Sequence, residues 1–189
     1  MTAGPSVPVT DLVLDFMNTV ISEHGKQIDL LETDEAVLRW LEASKTPGAV
    51  EERLSHVEGI AEDARGLREV IRDLVVQRKS GQGLAIEKLN SVLAGSVFAF
   101  ELVEAGEGAW VSRRKCVTST RASVLAPVAV AAAEFLASED FRLVKKCESE
   151  QCSVWFYDRT KAHRRRWCNM GLCGNRQKVA RFRQKLREN

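Results

Sequence analysis

The residues of this 189-residue chain best suited to chemistry are cysteines, and four of the five, Cys147, Cys152, Cys168 and Cys173, are spaced C-x4-C-x15-C-x4-C. Each pair can set two thiols on one side of a tight turn. Two such knuckles complete a four-sulfur shell around a borderline-soft ion, so the pattern predicts one structural Zn2+. A shell closed by four protein ligands leaves no position for a substrate. The competing use, two disulfides, belongs to secreted chains, yet the opening MTAGPSVPVT has neither the basic start nor the apolar stretch of a secretion signal. An odd fifth cysteine, Cys116, also fits a bridged framework poorly and reads as a small buried hydrophobe at the end of a strand. No apolar run reaches about 18 residues, so no membrane span is expected and the expected location is cytoplasmic.

Charge divides the chain at the same place as the cysteines. Residues 1–140 hold 14 Lys+Arg against 22 Asp+Glu, a net −8, whereas residues 141–189 hold 14 against 4, a net +10. An acidic body carrying a basic module is the footprint of a protein whose one end meets a polyanion. The cations capable of phosphate contact are Arg159, Lys161, Arg164, Arg165 and Arg166 before the second knuckle, and Arg176, Lys178, Arg181, Arg183 and Lys185 after it. At 100° per residue, Lys178, Arg181 and Lys185 fall on one flank of an apolar stripe and Arg176, Arg183 and Arg187 on the other. Trp155, Tyr157 and Trp167 offer flat faces to bases or, more simply, pack the module. The three histidines, His24, His56 and His163, are scattered and stand beside no nucleophile pattern, so no catalytic residue is assigned and no enzyme is expected.

The elements that must carry these residues read as α+β. The segment Asp11 to Ile21 is of mixed period, with Leu14, Met17 and Ile21 favouring a short helix and its valines an extended chain. An amphipathic helix capped by Thr33 or Asp34 runs past Trp40 and Leu41 toward Thr46-Pro47-Gly48. Apolar positions at threes and fours predict the longest helix over Val50 to Lys79, stopped by Ser80-Gly81, then a short one with Ile86, Leu89 and Leu93. Alternation over Val97 to Glu104 and Ala109 to Cys116 predicts a β-hairpin, and Val124 to Ser138 a further helix with Pro127 in its first turn or at a kink. In the module, strands over Phe141 to Cys147 and Ser153 to Asp158 flank the first knuckle. A hairpin is expected between the knuckles and a helix after Cys173, the order of a treble-clef-like zinc module. With fewer than 50 residues, such a module draws its order mainly from the metal.

The string WCNMGLCGNRQK, Trp167 to Lys178, resembles the signature of the CGNR zinc-finger family, together with the upstream cysteine pair, the strand VWFYD and the basic approach RRRWC. Upstream, LDFMNT (Leu14 to Thr19), VLRWL and LREVI are similar to motifs of the ABATE domain that precedes this finger in bacterial proteins described as stress-induced transcription regulators. The resemblance covers nearly the whole chain and implies two domains, an ABATE-like α+β domain over 1–140 and a CGNR finger over 141–189. It implies zinc ligation by Cys147, Cys152, Cys168 and Cys173 and a nucleic-acid surface on the finger. Within the motif, Gly174 is expected to allow close approach of the chain, Asn175 to cap the last helix and to belong to the nucleic-acid surface, and Arg176 to contact phosphate or base. Asp15, Asn18, Thr19 and Arg68, polar groups on apolar segments, either line a small-molecule pocket in a sensor or satisfy one another within the body.

The expected function is that of a DNA-binding regulator whose body senses an effector or binds a partner. The alternative is a zinc-stabilised module for RNA or an acidic protein. One finger reads sequence poorly alone, so a homodimer is a natural expectation of the first reading.

Overall fold

A computed structural model describes residues 8–23, 26–44, 57–106, 108–117 and 121–188, with side chains left undescribed at 22–23, 113–116, 184–185 and 187–188. Helix α1, Val9–Met17, begins directly after Pro8 and buries Leu12, Val13, Leu14, Phe16 and Met17. It does not continue to Ile21. The chain turns at Asn18 and the β-branched pair Val20 and Ile21 enters β1, Val20–Glu23, which pairs antiparallel with β2, Lys26–Asp29, a hairpin that the mixed periodicity concealed.

Helix α2, Asp34–Ala43, is capped as expected, the Thr33 hydroxyl accepting the Ala36 N–H at 3.2 Å. Its residue Trp40 sets its ring against Phe16, with centroids 5.1 Å apart. Helix α3, Ile60–Lys79, starts ten residues later than the periodicity suggests because Gly59, at φ +81°, ends the preceding path; residues 50–56 lie outside the described residues. Two backbone donors at that start are satisfied from α2, as the Asp34 carboxylate accepts the Gly59 and Ala61 N–H groups at 2.9 and 2.8 Å. Helix α4, Glu87–Ala94, follows, and then β3, Phe98–Glu104, and β4, Trp110–Cys116, pair in full register.

Helix α5, Arg121–Ser138, starts before Val124, which places Pro127 beyond the first turn. At 18 residues and mean hydropathy 1.4 it is long and apolar enough to cross a membrane, yet here it is the wall against which α1, α3 and α4 pack. Its Val124, Val128, Ala132 and Phe135 are fully or nearly fully buried. Beyond it, β5, Val144–Lys146, pairs antiparallel with β6, Trp155–Tyr157, and a π-helical turn, Met170–Gly174, runs into α6, Asn175–Glu188.

The main core crosses residue 140. Val144 is wholly buried in it, and Phe141, Trp155 and Tyr157 pack on its edge, Phe141 lying against Phe135 with ring centroids 5.3 Å apart. The β5–β6 hairpin thus leans on the body through α1, and its far end carries the first pair of cysteines.

Candidate zinc centre and basic surface

The first knuckle is the connection of the β5–β6 hairpin itself. Cys147 donates its N–H to the Val154 carbonyl at 2.9 Å, continuing the ladder, and Cys152 closes a turn on the Ser149 carbonyl at 2.9 Å. Sequence reasoning expected a hairpin between the knuckles; instead residues 158–167 return without strand structure, and the hairpin holds the first knuckle at its tip. The second knuckle is shaped by Asn169, whose side chain accepts the Leu172 N–H at 3.0 Å and whose carbonyl accepts from Cys173 and Gly174. Asn169 is therefore the capping asparagine. Asn175, expected to cap, already has helical backbone angles and is an exposed residue of α6.

Both knuckles present their sulfurs to one point. All four Sγ atoms lie within 4.8 Å of one another, and Cys152–Cys168 and Cys168–Cys173 are each 3.7 Å apart. A tetrahedron of sulfurs about zinc with bonds of about 2.3 Å has edges of about 3.8 Å, so these spacings fit the ion. Burial, reinforced by the neighbouring sulfurs, holds the Cys168 thiol well above its ordinary value, and burial raises Cys173 in the same direction. Four sulfurs gathered this closely are the donor set that a structural zinc ion requires. The Cys168 N–H points at the Cys147 sulfur at 3.5 Å, and Phe156 and Trp167 pack against the cluster. Gly174 is buried beside it. A Cβ there would stand 2.5 Å from the Met170 Sδ and 3.4 Å from the Trp167 ring, the close approach that the glycine was expected to permit.

The loop between the knuckles is organised by a residue that sequence reasoning passed over as the end of a strand. Asp158 has no exposed surface. Its carboxylate accepts from Lys145 Nζ at 2.6 Å, the Thr160 hydroxyl at 2.7 Å, the Thr160 N–H at 3.1 Å and the Arg165 N–H at 2.9 Å. Burial alone would raise this carboxyl, but the donors, Lys145 foremost, hold it well below the usual carboxylate range. The signal in the sequence was Asp-x-Thr directly after a strand, the pattern of an Asx turn.

The candidate nucleic-acid residues divide into two groups. Arg165 is half-buried, stacks on Phe156 with its guanidinium 4.7 Å from the ring centroid, and donates to the Trp167 and Cys168 carbonyls, so it braces the second knuckle. Arg166 pairs with Glu148 at 2.5 Å and lies over Trp167, and Arg159 lies over Tyr157 and pairs with Asp11 of α1 at 2.7 Å. By contrast Lys161, Arg164, Arg176, Lys178 and Arg183 are exposed and have no ion pair among the described residues. Arg181 is exposed and adds to Arg166, the main cause, in lowering the Glu148 carboxyl, and Lys185 lies on α6 among the residues whose side chains are undescribed. The apolar stripe of α6 is exposed, with Val179, Phe182 and Leu186 at 49, 63 and 64%. Trp155, Tyr157 and Trp167 are packed or covered on at least one face, so packing accounts for them.

In the body, Arg68 is 3% exposed and holds Asp29 with two bonds of 2.7 Å and Thr19 Oγ1 with one of 2.9 Å. Asn18 faces the other way: its amide donates to the Trp155 carbonyl at 2.8 Å and its Oδ1 accepts the Trp155 N–H at 2.9 Å, fastening β6 to the end of α1. Asp15 is exposed. Thr19 and Arg68 thus meet in one internal network and Asn18 serves a separate seam. Asp29, the partner that completes the network, was missed because it lies 39 residues from Arg68. Of the histidines, His163 is described: its Nδ1 is 3.1 Å from the Asp158 carbonyl oxygen, while His24 and His56 lie outside the described residues.

Two family models match the chain in order. The ABATE model, described as "Putative stress-induced transcription regulator", matches residues 10–139, and the CGNR zinc-finger model matches residues 143–185. No curated protein matches. The first model covers well over half of the chain and the four clustered cysteines supply the ligand set of the second, so the chain belongs to the ABATE family and carries a CGNR zinc finger that could hold one zinc ion.

Proposed function

We propose that the protein is a cytoplasmic, DNA-binding transcription regulator in which a body over 1–140 senses a signal or partner and a zinc finger over 141–189 contacts DNA. The observation that carries this reading is the division of labour among the cations. Arg159, Arg165 and Arg166 are engaged by partners in the chain itself, while Lys161, Arg164, Arg176, Lys178 and Arg183 stand exposed, with no ion pair among the described residues, in a +10 segment. Holding so many like charges together opposes folding unless an anion is met. The family's description as a transcription regulator makes DNA the preferred polyanion. Asn18 and Arg159 join α1 to the hairpin that bears the first knuckle, so a change in the body has a short path to the finger. The families matched are regulator and zinc-finger types, in keeping with a protein that binds rather than catalyses.

The test is a selection of bound genomic fragments by the zinc-loaded chain at near-physiological salt, with Arg176→Ala/Lys178→Ala/Arg183→Ala alongside. The whole run Arg164-Arg165-Arg166 is unsuitable as the control variant because Arg165 and Arg166 brace the module. A recurrent DNA motif lost in the variant, with the slope of log affinity against log salt shallower by about 2.7 for three lost phosphate contacts, supports the proposal. Recovery of random fragments only, with fold and zinc intact, refutes it and favours RNA or an acidic protein.

A further inference from the structure

Among the described residues, helix α6 has no extensive packing beyond the π-helical turn that leads into it. Yet it is amphipathic. Val179, Phe182 and Leu186, at i, i+3 and i+7, share one side and stay in solvent, the last two nearly two-thirds exposed. The three fall within about 60° of the helix circumference, the narrow seam of a coiled coil rather than the face of about 100° or more that a helix turns to a core. Asn175, exposed one turn nearer the zinc centre, continues the seam as its one polar position. Cations border the seam on both sides, Lys178 on one and Arg176 and Arg183 on the other, all exposed and without an ion pair among the described residues. In the heptad register that places Val179, Phe182 and Leu186 at a, d and a, Lys178 occupies g and Arg176 and Arg183 occupy e, the positions whose charges choose a partner.

We infer that α6 is the seat of an amphipathic helix from another protein, one whose apolar side fits the seam of Val179, Phe182 and Leu186 and whose flanks carry Asp or Glu. Charge on the seam's own borders selects that occupant. A second α6 would set cations against cations on both flanks. Nucleic acid satisfies the cations but brings no apolar ridge to cover Phe182 and Leu186. An anionic bilayer holds a helix in proportion to the apolar area it buries, of which so narrow a seam has little. A helix with acids beside its own apolar seam meets both demands at once: the apolar side chains interdigitate, and the carboxylates face Lys178, Arg176 and Arg183 across the borders. The inference rests on the exposed seam and not on the DNA-binding reading. Where both hold, such a helix occupies the cations proposed to meet phosphate, so partner and DNA exclude one another on α6.

Titrating the zinc-loaded full chain with synthetic helical peptides tests the seat without nucleic acid. The probe is a three-heptad peptide with Leu at a and d and Glu at e and g; one control carries Lys at e and g, and a second keeps every Glu but has Gln at a and d. Fluorescence anisotropy should show the probe binding about tenfold or more tightly than either control. Phe182→Gln/Leu186→Gln should weaken the probe by about tenfold or more with the melting curve and zinc content unchanged, since both side chains are exposed in the free chain. In the wild type the probe should slow amide exchange over 176–188 and not over 60–79, a readout that needs no variant. Equal binding of the Gln control, which would make α6 a general anion site, equal binding of the Lys control, or undiminished binding by the folded double variant overturns the inference. So does an unbound probe beside a seam that instead carries the chain onto phosphatidylglycerol vesicles or into a dimer.

Discussion

Replacing Arg68 by methionine separates a structural pin from a ligand-binding cation. The Arg68 side chain is 96% shielded and holds both Asp29 oxygens at 2.7 Å and Thr19 at 2.9 Å, so Arg68→Met takes the guanidinium from a carboxylate and from a buried hydroxyl. Breaking one side of a buried pair costs about 3–5 kcal/mol. Asp29 keeps 26% of its side chain in water and Leu31 N–H still donates to it, which places the cost at the lower end, about 3 kcal/mol. For a chain of this length each kcal/mol moves the melting point by about 2–4 °C, so a loss of about 6–12 °C is expected by circular dichroism of the zinc-loaded protein. Adding Asp29→Leu should recover most of it. The pH dependence should change too. Arg68 first of all holds the Asp29 carboxyl below its usual 3.8, so the pair stabilises the fold above that value and this stability is lost as pH falls; the variant should lose less between pH 5 and 3 than the wild type. A melting point lowered by less than 3 °C, with no recovery from the second substitution, would refute the pin and reopen Arg68 as a group held ready for an anionic ligand.

Asp158→Ala should cost about 3–5 kcal/mol, because Lys145, Thr160 and the Arg165 amide lose one common acceptor inside the module; a zinc-loaded melt and the off-rate of zinc to a chelator check this. Asp158→Asn should flatten the acid limb of the stability curve, since a carboxyl held low in the fold contributes stability above its usual value that disappears on acidification. Stripping the zinc should cost the module most of the roughly 10 kcal/mol or more that a structural zinc supplies, releasing four reactive thiols. Because Val144 and Trp155 sit in or on the body's core, hydrogen exchange should rise steeply over 158–188 but stay slow in β5 and β6.

The parts of the fold that could be read from the chain are those whose cause is local. Thr33 caps α2, the threes and fours of α3 and α5 mark their buried faces, and the alternation of β3 and β4 fixes their shared register. The β1–β2 hairpin was not legible, because Leu14, Met17 and Ile21 keep a helical spacing across the point where Asn18 turns the chain toward Trp155. The start of α3 was overrun for a similar reason: the apolar period continues upstream, but Gly59 and the distant Asp34 set the first turn of the helix at Ile60.

At the site the same division holds. The spacing of Cys147, Cys152, Cys168 and Cys173 pointed by itself to one four-sulfur cluster that could hold zinc, and the four do meet, since a knuckle is a turn of a few residues and thiolates favour a soft ion. Only the tertiary structure decided what the polar residues do. Arg164, Arg165 and Arg166 are neighbours of one type, yet Arg164 stays in solvent, Arg165 braces the second knuckle and Arg166 pairs with Glu148. Arg68 finds Asp29 and Asn18 finds Trp155 across 39 and 137 residues. A buried charge or amide must be satisfied by whichever partner packing brings within about 3 Å, and that partner is chosen by the assembled core rather than by neighbours along the chain.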